Sequence, residues 1–93
     1  MAAIDGRRRL AILVHLSLQR RFTANVTDIR EALAEIGYAG SLVRVRGEAA
    51  WLADAGLVVY EPATDVLKAT EQGLEVACGN ADAPGVSMPG ASA

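Results

Sequence analysis

The pattern of hydrophobic and polar positions predicts a first helix from about Gly6 to Arg21, with Asp5 as its N-cap. Residues 10–18 are apolar on more than one face, because two separate apolar stripes run along the same segment. A helix that is apolar nearly all round is usually buried on several sides. In so short a chain, the second buried side can belong to a partner subunit, so we expect a homodimer through the first and last helices.

The next stretch predicts a short helix that ends near Ile36, with Asn25 or Thr27 as its cap. Ile29, Leu33 and Ile36 are spaced i, i+4 and i+7, so they share one face. Phe22 to Val26 is predicted to be a connector. The Gly-containing stretch 37–40 is predicted to be the turn into the next helix.

Ser41 to Leu57 is predicted to be one long helix, capped by Ser41 and ended by Gly56. Its buried face is predicted to be the stripe of Val45, Ala49 and Leu52. The charged side chains of this helix, Arg44, Arg46 and Glu48, are expected to point elsewhere. Together with the preceding helix and turn, this stretch makes a helix-turn-helix.

After residue 56 the pattern changes to two short β-branched runs, 57–60 and 66–69, separated by a Pro- and Asp-containing turn. They predict a hairpin of the size of a wing. Thr70 is predicted to cap a last helix from Glu71 to about Cys78, ended by Gly79. Residues 80–93 are rich in Ala, Gly, Pro and Ser and predict a flexible tail.

The predicted fold is therefore mostly α with a small β-hairpin. It is a winged helix-turn-helix with three helices, a two-stranded wing, a C-terminal helix and a flexible tail. A winged-helix domain is expected over residues 1–79 and the tail over residues 80–93. The chain has 93 residues, which is enough for one compact domain.

Composition narrows the function classes. The chain has one histidine, His15, which is predicted to serve packing or an interface. Its one cysteine, Cys78, is predicted to be a buried, inert thiol, and the alternative is a tertiary pairing with His15. No paired acids, metal-ligand spacing or phosphate loop is visible, so we predict no enzyme, no metal and no cofactor. No apolar run reaches about 18 residues and no signal peptide is evident, so we expect no membrane association and a cytoplasmic location.

Charge is distributed unevenly, although the formal net charge is only -2. Residues 1–50 hold eight arginines and five acids, whereas residues 51–93 hold one lysine and six acids. The first half can therefore present a basic face. The run Arg7, Arg8 and Arg9 is open to two interpretations, a solvated cluster or a contact with phosphate.

In a helix-turn-helix, the N-terminal residues of the second helix reach base edges in the major groove. Charged side chains on the neighbouring elements can add contacts to the phosphate backbone. The candidate DNA-binding residues are Ser41, Arg44, Arg46, Arg30, Arg20, Arg21 and Lys68. Leu42 and Val43 can contact thymine methyl groups, or they can form an apolar patch for a protein partner.

A set of residues spread from position 5 to position 86 resembles a known family. The set is Asp5, Arg8-Arg9-Leu10, Ile12-Leu13, Leu16, Asn25, Gly37, Ser41, Val45, Trp51-Leu52, Gly56-Leu57, Thr70, Gly73, Val76-Ala77, Gly79 and Pro84-Gly85-Val86. On these residues the chain resembles the small winged-helix proteins encoded by Mu-like transposable phages and prophages. More broadly it is similar to winged helices of the ArsR and MarR type, in which a Gly-Leu pair ends the recognition helix. The phage family carries mostly polar residues after the Ser, and Leu42 and Val43 differ from that.

The resemblance implies a homodimer bound to double-stranded DNA. The expected function is that of a small phage-type DNA-binding protein, acting in transcription control or on phage DNA. The alternative is a winged-helix-derived interaction module that binds and modulates a host or phage protein. Leu42 and Val43 are the residues on which these two hypotheses differ.

Overall fold

The computed structural model describes residues 3–90, and side chains from Ile4 onward. It is a mixed α/β domain in which the described residues form four α-helices and a small antiparallel sheet. The helices are α1 (Ala3–Ser17), α2 (Val26–Glu35), α3 (Leu42–Asp54) and α4 (Glu71–Ala77). The strands are β1 (Thr23–Asn25), β2 (Val58–Glu61) and β3 (Val66–Ala69).

Three of the four helices begin at the predicted caps. The side chains of Asn25, Ser41 and Thr70 each accept a hydrogen bond from a backbone N–H three residues later. Such a bond satisfies a donor that has no partner within the helix. The first helix is different: it begins before Asp5, so the prediction of Asp5 as its cap is wrong.

The end of the first helix is also corrected. Residues 20–22 form a separate 3-10 turn after α1, with positive φ angles at Arg21 and Phe22. These two left-handed residues redirect the chain into β1, which was predicted to be a connector. β1 pairs with β3, which also pairs with β2, so the sheet order is β1-β3-β2. The predicted hairpin is present, and it forms two strands of a three-stranded sheet.

The core lies where α1, α2 and α3 meet the inner face of the sheet. The predicted faces of α2 and α3 are largely confirmed, because Ile29, Leu33, Val45, Ala49 and Leu52 are all buried. Ile36, placed on the same face of α2, is instead 60% exposed because the helix has ended before it. The other buried apolar residues are Ile12, Leu13, Leu16, Val26, Leu57, Val58, Leu67, Ala69 and Val76.

An ion-pair cluster is buried between α1 and α3. Arg9 Nε donates to Glu48 Oε1 at 2.7 Å, and Arg8 Nη1 lies 3.7 Å from Glu48 Oε2. All three residues are at most 7% exposed, so the expectation that Glu48 points away from the core is wrong. Arg8 and Arg9 are therefore buried and do not belong to a solvated cluster. Glu48 supplies the charge of opposite sign that their burial requires.

The chain after α4 returns to the body of the domain. Arg9 Nη1 donates to the carbonyl of Gly85 at 3.0 Å, and the N–H of Ser87 donates to the carbonyl of Gly6 at 3.1 Å. Val86 packs against the core and Gly85 contacts the ring of Trp51. Residues 85–87 therefore contact α1 and α3, and residues 91–93 of the predicted tail lie outside the described part.

Candidate nucleic-acid interface

The first turn of α3 is held by its own N-cap and by the turn before it. Ser41 Oγ accepts a hydrogen bond from the N–H of Arg44 at 3.1 Å. Gly37 has a φ of +93°, the left-handed conformation that glycine adopts at a helix end. The turn closes as the N–H of Tyr38 donates to the carbonyl of Leu33 at 2.8 Å. Ser41 thus positions α3, and Arg44 follows on its first exposed turn.

The two apolar residues after Ser41 lie in different environments. Leu42 is half-buried and packs against the core, on the same face as Val45 and Ala49. Val43 is 75% exposed. Successive residues of a helix point about 100° apart, so a pair of neighbours cannot share one face. Only Val43 is free to contact a ligand with its whole side chain.

Arg46 forms a forked ion pair with Asp65 in the turn between β2 and β3. Its Nη2 lies 2.8 Å from Asp65 Oδ2, and its Nε donates at 3.2 Å to each carboxylate oxygen. Tyr60 donates its hydroxyl to Asp65 Oδ1 at 2.9 Å. These contacts connect α3 directly to the tip of the hairpin.

The electrostatics of this trio follow from its hydrogen bonds. The bond from Arg46, followed by that from Tyr60, holds the pKa of Asp65 below its ordinary value. The same bond to Asp65 raises the pKa of Arg46. Burial raises the pKa of Tyr60, and its bond to Asp65 adds to that effect. At neutral pH, Asp65 is therefore a carboxylate paired with a fully charged guanidinium group.

Arg44 has a weaker internal partner. Its Nη1 lies 3.5 Å from Asp5 Oδ1, and the Arg44 side chain is 54% exposed. Asp5 also contacts Arg8 at 3.2 Å, so its carboxylate is shared between two arginines. A long, exposed ion pair of this kind is held loosely and is screened by salt. Arg44 can therefore turn toward a phosphate more readily than Arg46 can.

The remaining candidate cations lie on other elements. Lys68 lies on the outer face of the sheet, in a row with Thr23 of β1 and Val59 of β2. Arg20 and Arg21 are exposed in the 3-10 turn that leads into β1, and this turn contacts β3. Arg30 is exposed on α2. The structure therefore places Ser41, Arg44 and Arg46 at the start of α3, with Arg44 directed toward Asp5 of α1 and Arg46 toward Asp65 of the hairpin. It brings Arg20 and Arg21 to the sheet that carries Lys68.

The acids that face these cations are the part of the site that the sequence pattern did not reveal. Asp5 is 39 positions from Arg44, and Asp65 is 19 positions from Arg46. No local periodicity connects residues at such separations. Tyr60 and Asp65 flank one turn, which is the one signal that could have paired them.

Within residues 3–90 no group of three or more His, Cys, Asp or Glu side chains is placed to hold a metal ion. Cys78 is exposed at the end of α4, contrary to the prediction that it is buried. None of the described helices combines the length and apolar character needed to cross a membrane.

Comparisons with protein-family models, with curated proteins and with solved structures found no match to this chain. The resemblance to the winged-helix proteins of Mu-like phages therefore stays a prediction. Any function has to be argued from the site itself.

Proposed function

We propose that the chain is a winged helix-turn-helix domain that binds duplex DNA. The N-terminal half of α3 would enter the major groove, and the hairpin β2–β3 would serve as the wing. The order of elements supports this assignment, since α2, a tight turn and α3 are followed directly by the hairpin. The domain would act in transcription control or in another process on phage DNA.

One observation carries the proposal: two exposed arginines lie within two turns of the N-cap of the second helix. They point about 160° apart and flank the exposed face that carries Val43 and Gly47. The Arg44 and Arg46 side chains are 54% and 45% exposed. Arg side chains here can pair with guanine edges or with phosphates. The contact between Arg46 and Asp65 also sets the tip of the hairpin beside the same helix, as a wing requires.

The internal acids give this interface a specific property. Binding of Arg46 to a phosphate or base requires that it leave Asp65, or that Asp65 be accommodated close to the DNA. Either event lowers the affinity for DNA. In the first case the ion pair between Arg46 and Asp65 is lost, and in the second the Asp65 carboxylate approaches the negatively charged phosphates. We therefore expect weak non-specific binding, with Arg44 as the main contact in that mode.

A homodimer joined by any surface outside α3 would fit this proposal, since two copies would present two α3 helices to successive turns of the major groove. The alternative, a protein-binding surface formed by Leu42 and Val43, is less favoured. Leu42 is packed against the core, so the two side chains do not form one exposed patch.

The test is a fluorescence anisotropy titration of a labelled mixed-sequence duplex at several salt concentrations. We expect binding that weakens steeply with salt, and further weakening in Arg44→Ala and Arg46→Ala. Glu31→Ala, at an exposed position of α2, is a matched surface control and should leave binding unchanged or slightly stronger. No binding by wild type below about 10⁻⁴ M, the weak end of non-specific affinities, would refute the proposal.

A further inference from the structure

A groove of about 530 Å³ lies along α1. Its walls are formed by α1, by the end of α2 with the turn after it, and by residues 87–90. The residues that line it include none from α3 or from the hairpin β2–β3. It is thus separate from the candidate nucleic-acid interface, and its use does not depend on DNA binding.

The α1 wall is a continuous stripe along the helix. Its members are spaced at three- and four-residue intervals, as one face of a helix requires. They are Arg7, Leu10, Ala11, Val14 and His15, and Leu18 extends the stripe just past the end of the helix. At 1.5 Å per residue the stripe extends over about 16 Å, which corresponds to three turns of a helix.

The opposite rim is apolar and exposed. Ile36 and Met88 border the groove there, and Leu18 borders the end of the α1 wall. Their side chains are 60%, 39% and 78% exposed, in contrast to the buried core beneath them. A small molecule on the floor of the groove would leave these rim side chains in water. A protein surface would cover both floor and rim, and contiguous exposed apolar residues of this kind mark such contacts.

Charge at the groove defines what the partner must carry. Arg8 and Arg9 are paired with acids inside the domain, whereas Arg7 is exposed and has no ion pair among the described residues. The residues that line the groove include no Asp or Glu. Among the described residues, the lining of the groove is therefore largely apolar, with Arg7 at one end and no acidic side chain.

We propose that this groove binds an amphipathic α-helix of a partner protein that carries an acidic residue beside its apolar stripe. The apolar side chains of that helix would fill the groove, and its carboxylate would pair with Arg7. Helices laid into apolar grooves in this way are anchored by residues at i, i+3 or i+4, and i+7. The homodimer predicted through the first and last helices is the competing occupant of this groove. It fits less well, because the described residues that line the groove of a second copy supply no carboxylate for Arg7.

The probe is a fluorescein-labelled helical peptide of about 12 residues, long enough for three turns. It carries leucines on one stripe, a glutamate at each end of that stripe, and alanines and glutamines elsewhere. A matched peptide has lysines in place of the two glutamates. Both are titrated with the full chain by anisotropy, and the contacts are mapped by amide chemical shifts. We expect the acidic peptide to bind at least about tenfold more tightly than the basic one.

Variants of the chain test the two halves of the recognition. Leu18→Glu and Ile36→Glu should weaken the acidic peptide about tenfold or more, because they place charge on the apolar rim. Arg7→Glu should reverse the preference in favour of the basic peptide. Val59→Glu, an exposed apolar residue of β2 outside the groove, should change neither affinity. Far-UV circular dichroism and urea midpoints establish that each variant folds.

Three results would overturn the proposal. The first is binding of neither peptide at concentrations up to about 1 mM. The second is equal binding of both peptides, or a preference that survives Arg7→Glu. The third is a groove closed by a second copy, seen as a dimer in sedimentation that Leu18→Glu dissociates. DNA binding by the same preparations is measured in parallel, so that loss of one activity is distinguished from loss of the other.

Discussion

Removal of the Glu48 carboxylate should be the most destabilising single change at a charged residue of this domain. Glu48→Ala leaves the guanidinium groups of Arg8 and Arg9 without their shared partner, in side chains that are only 8% and 9% exposed. Asp5 remains beside Arg8, and the Gly85 carbonyl and the Trp51 ring remain beside Arg9. None of these replaces a carboxylate that lies 2.7 Å from Arg9 Nε.

The expected magnitude follows from the burial of the cluster. Loss of one partner from a buried ion pair costs about 3–5 kcal/mol, because an uncompensated charge stays in the interior. Domains of this length have unfolding free energies of roughly 5–14 kcal/mol, at about 0.05–0.15 kcal/mol per residue. Glu48→Ala should therefore lower the melting temperature by at least about 12 °C, at about 4–8 °C per kcal/mol. Glu48→Gln keeps an acceptor for Arg9 and should cost roughly 1–2 kcal/mol.

The assay is equilibrium unfolding in urea, followed by far-UV circular dichroism and by tryptophan fluorescence. Trp51 is the single tryptophan, and its ring centroid lies 3.9 Å from the guanidinium carbon of Arg9. Its emission therefore reports on this cluster directly. Glu31→Ala removes the same charge from an exposed position of α2 and should change stability by no more than about 0.5 kcal/mol.

The stability losses of Glu48→Ala, Glu48→Gln and Glu31→Ala together test whether Arg8 and Arg9 depend on Glu48 for burial of their charges. A loss below about 1 kcal/mol for Glu48→Ala, with an unchanged denaturant slope, would contradict it. Such a result would show that Arg8 and Arg9 recover full hydration in the folded state.

Three further predictions concern backbone space and the Asp65 carboxylate in the hairpin turn. Gly73→Ala should lower the free energy of unfolding in urea by about 1–3 kcal/mol, because the new Cβ would overlap the Leu57 carbonyl. Gly47→Ala should raise it by up to about 1 kcal/mol, because the space around Gly47 is open and alanine favours the helix. Equal effects of the two substitutions would refute this prediction. Asp65→Asn introduces a residue that tolerates the φ of 57° at this position. Because it frees Arg46 from its ion pair, it should tighten DNA binding and steepen the salt dependence by about one phosphate contact. Weaker binding would contradict the proposed role of the Arg46–Asp65 pair. Because the folded pKa of Asp65 is lowered, its stabilising contribution is complete above the ordinary carboxyl range and is lost as pH falls through the lowered value. Urea midpoints from about pH 5 to pH 2 should therefore fall less in Asp65→Asn than in wild type, and parallel profiles would argue against the shift.

Local signals predicted the helices and hairpin well, because caps and glycines act within a few residues. Ser41 and Thr70 cap their helices by bonds three residues long, and Gly56 ends the α3 segment with a φ of +79°. β1 was missed because three residues, Thr-Ala-Asn, are too few for an alternating pattern. It is defined by its pairing with β3, more than 40 positions away.

The sequence pattern predicted the arginines of the candidate site but not the acids that pair with them. Arg44 and Arg46 are visible as exposed helix positions from spacing alone. Their partners Asp5 and Asp65 come from distant segments, so only the folded chain shows that each of these two arginines faces an acid. Glu48 was misassigned for the same reason, since its burial depends on Arg9, 39 positions earlier.

The central claim, that α3 is a DNA-recognition helix, is tested most directly by an amide chemical-shift titration of the labelled chain with a duplex at low salt. If α3 enters the major groove, the largest changes fall at residues 41–47 and at the hairpin turn 62–65, with little change along the α1 groove. Changes that centre on Leu10, Val14 and Ile36, or no changes at saturating duplex, would contradict it.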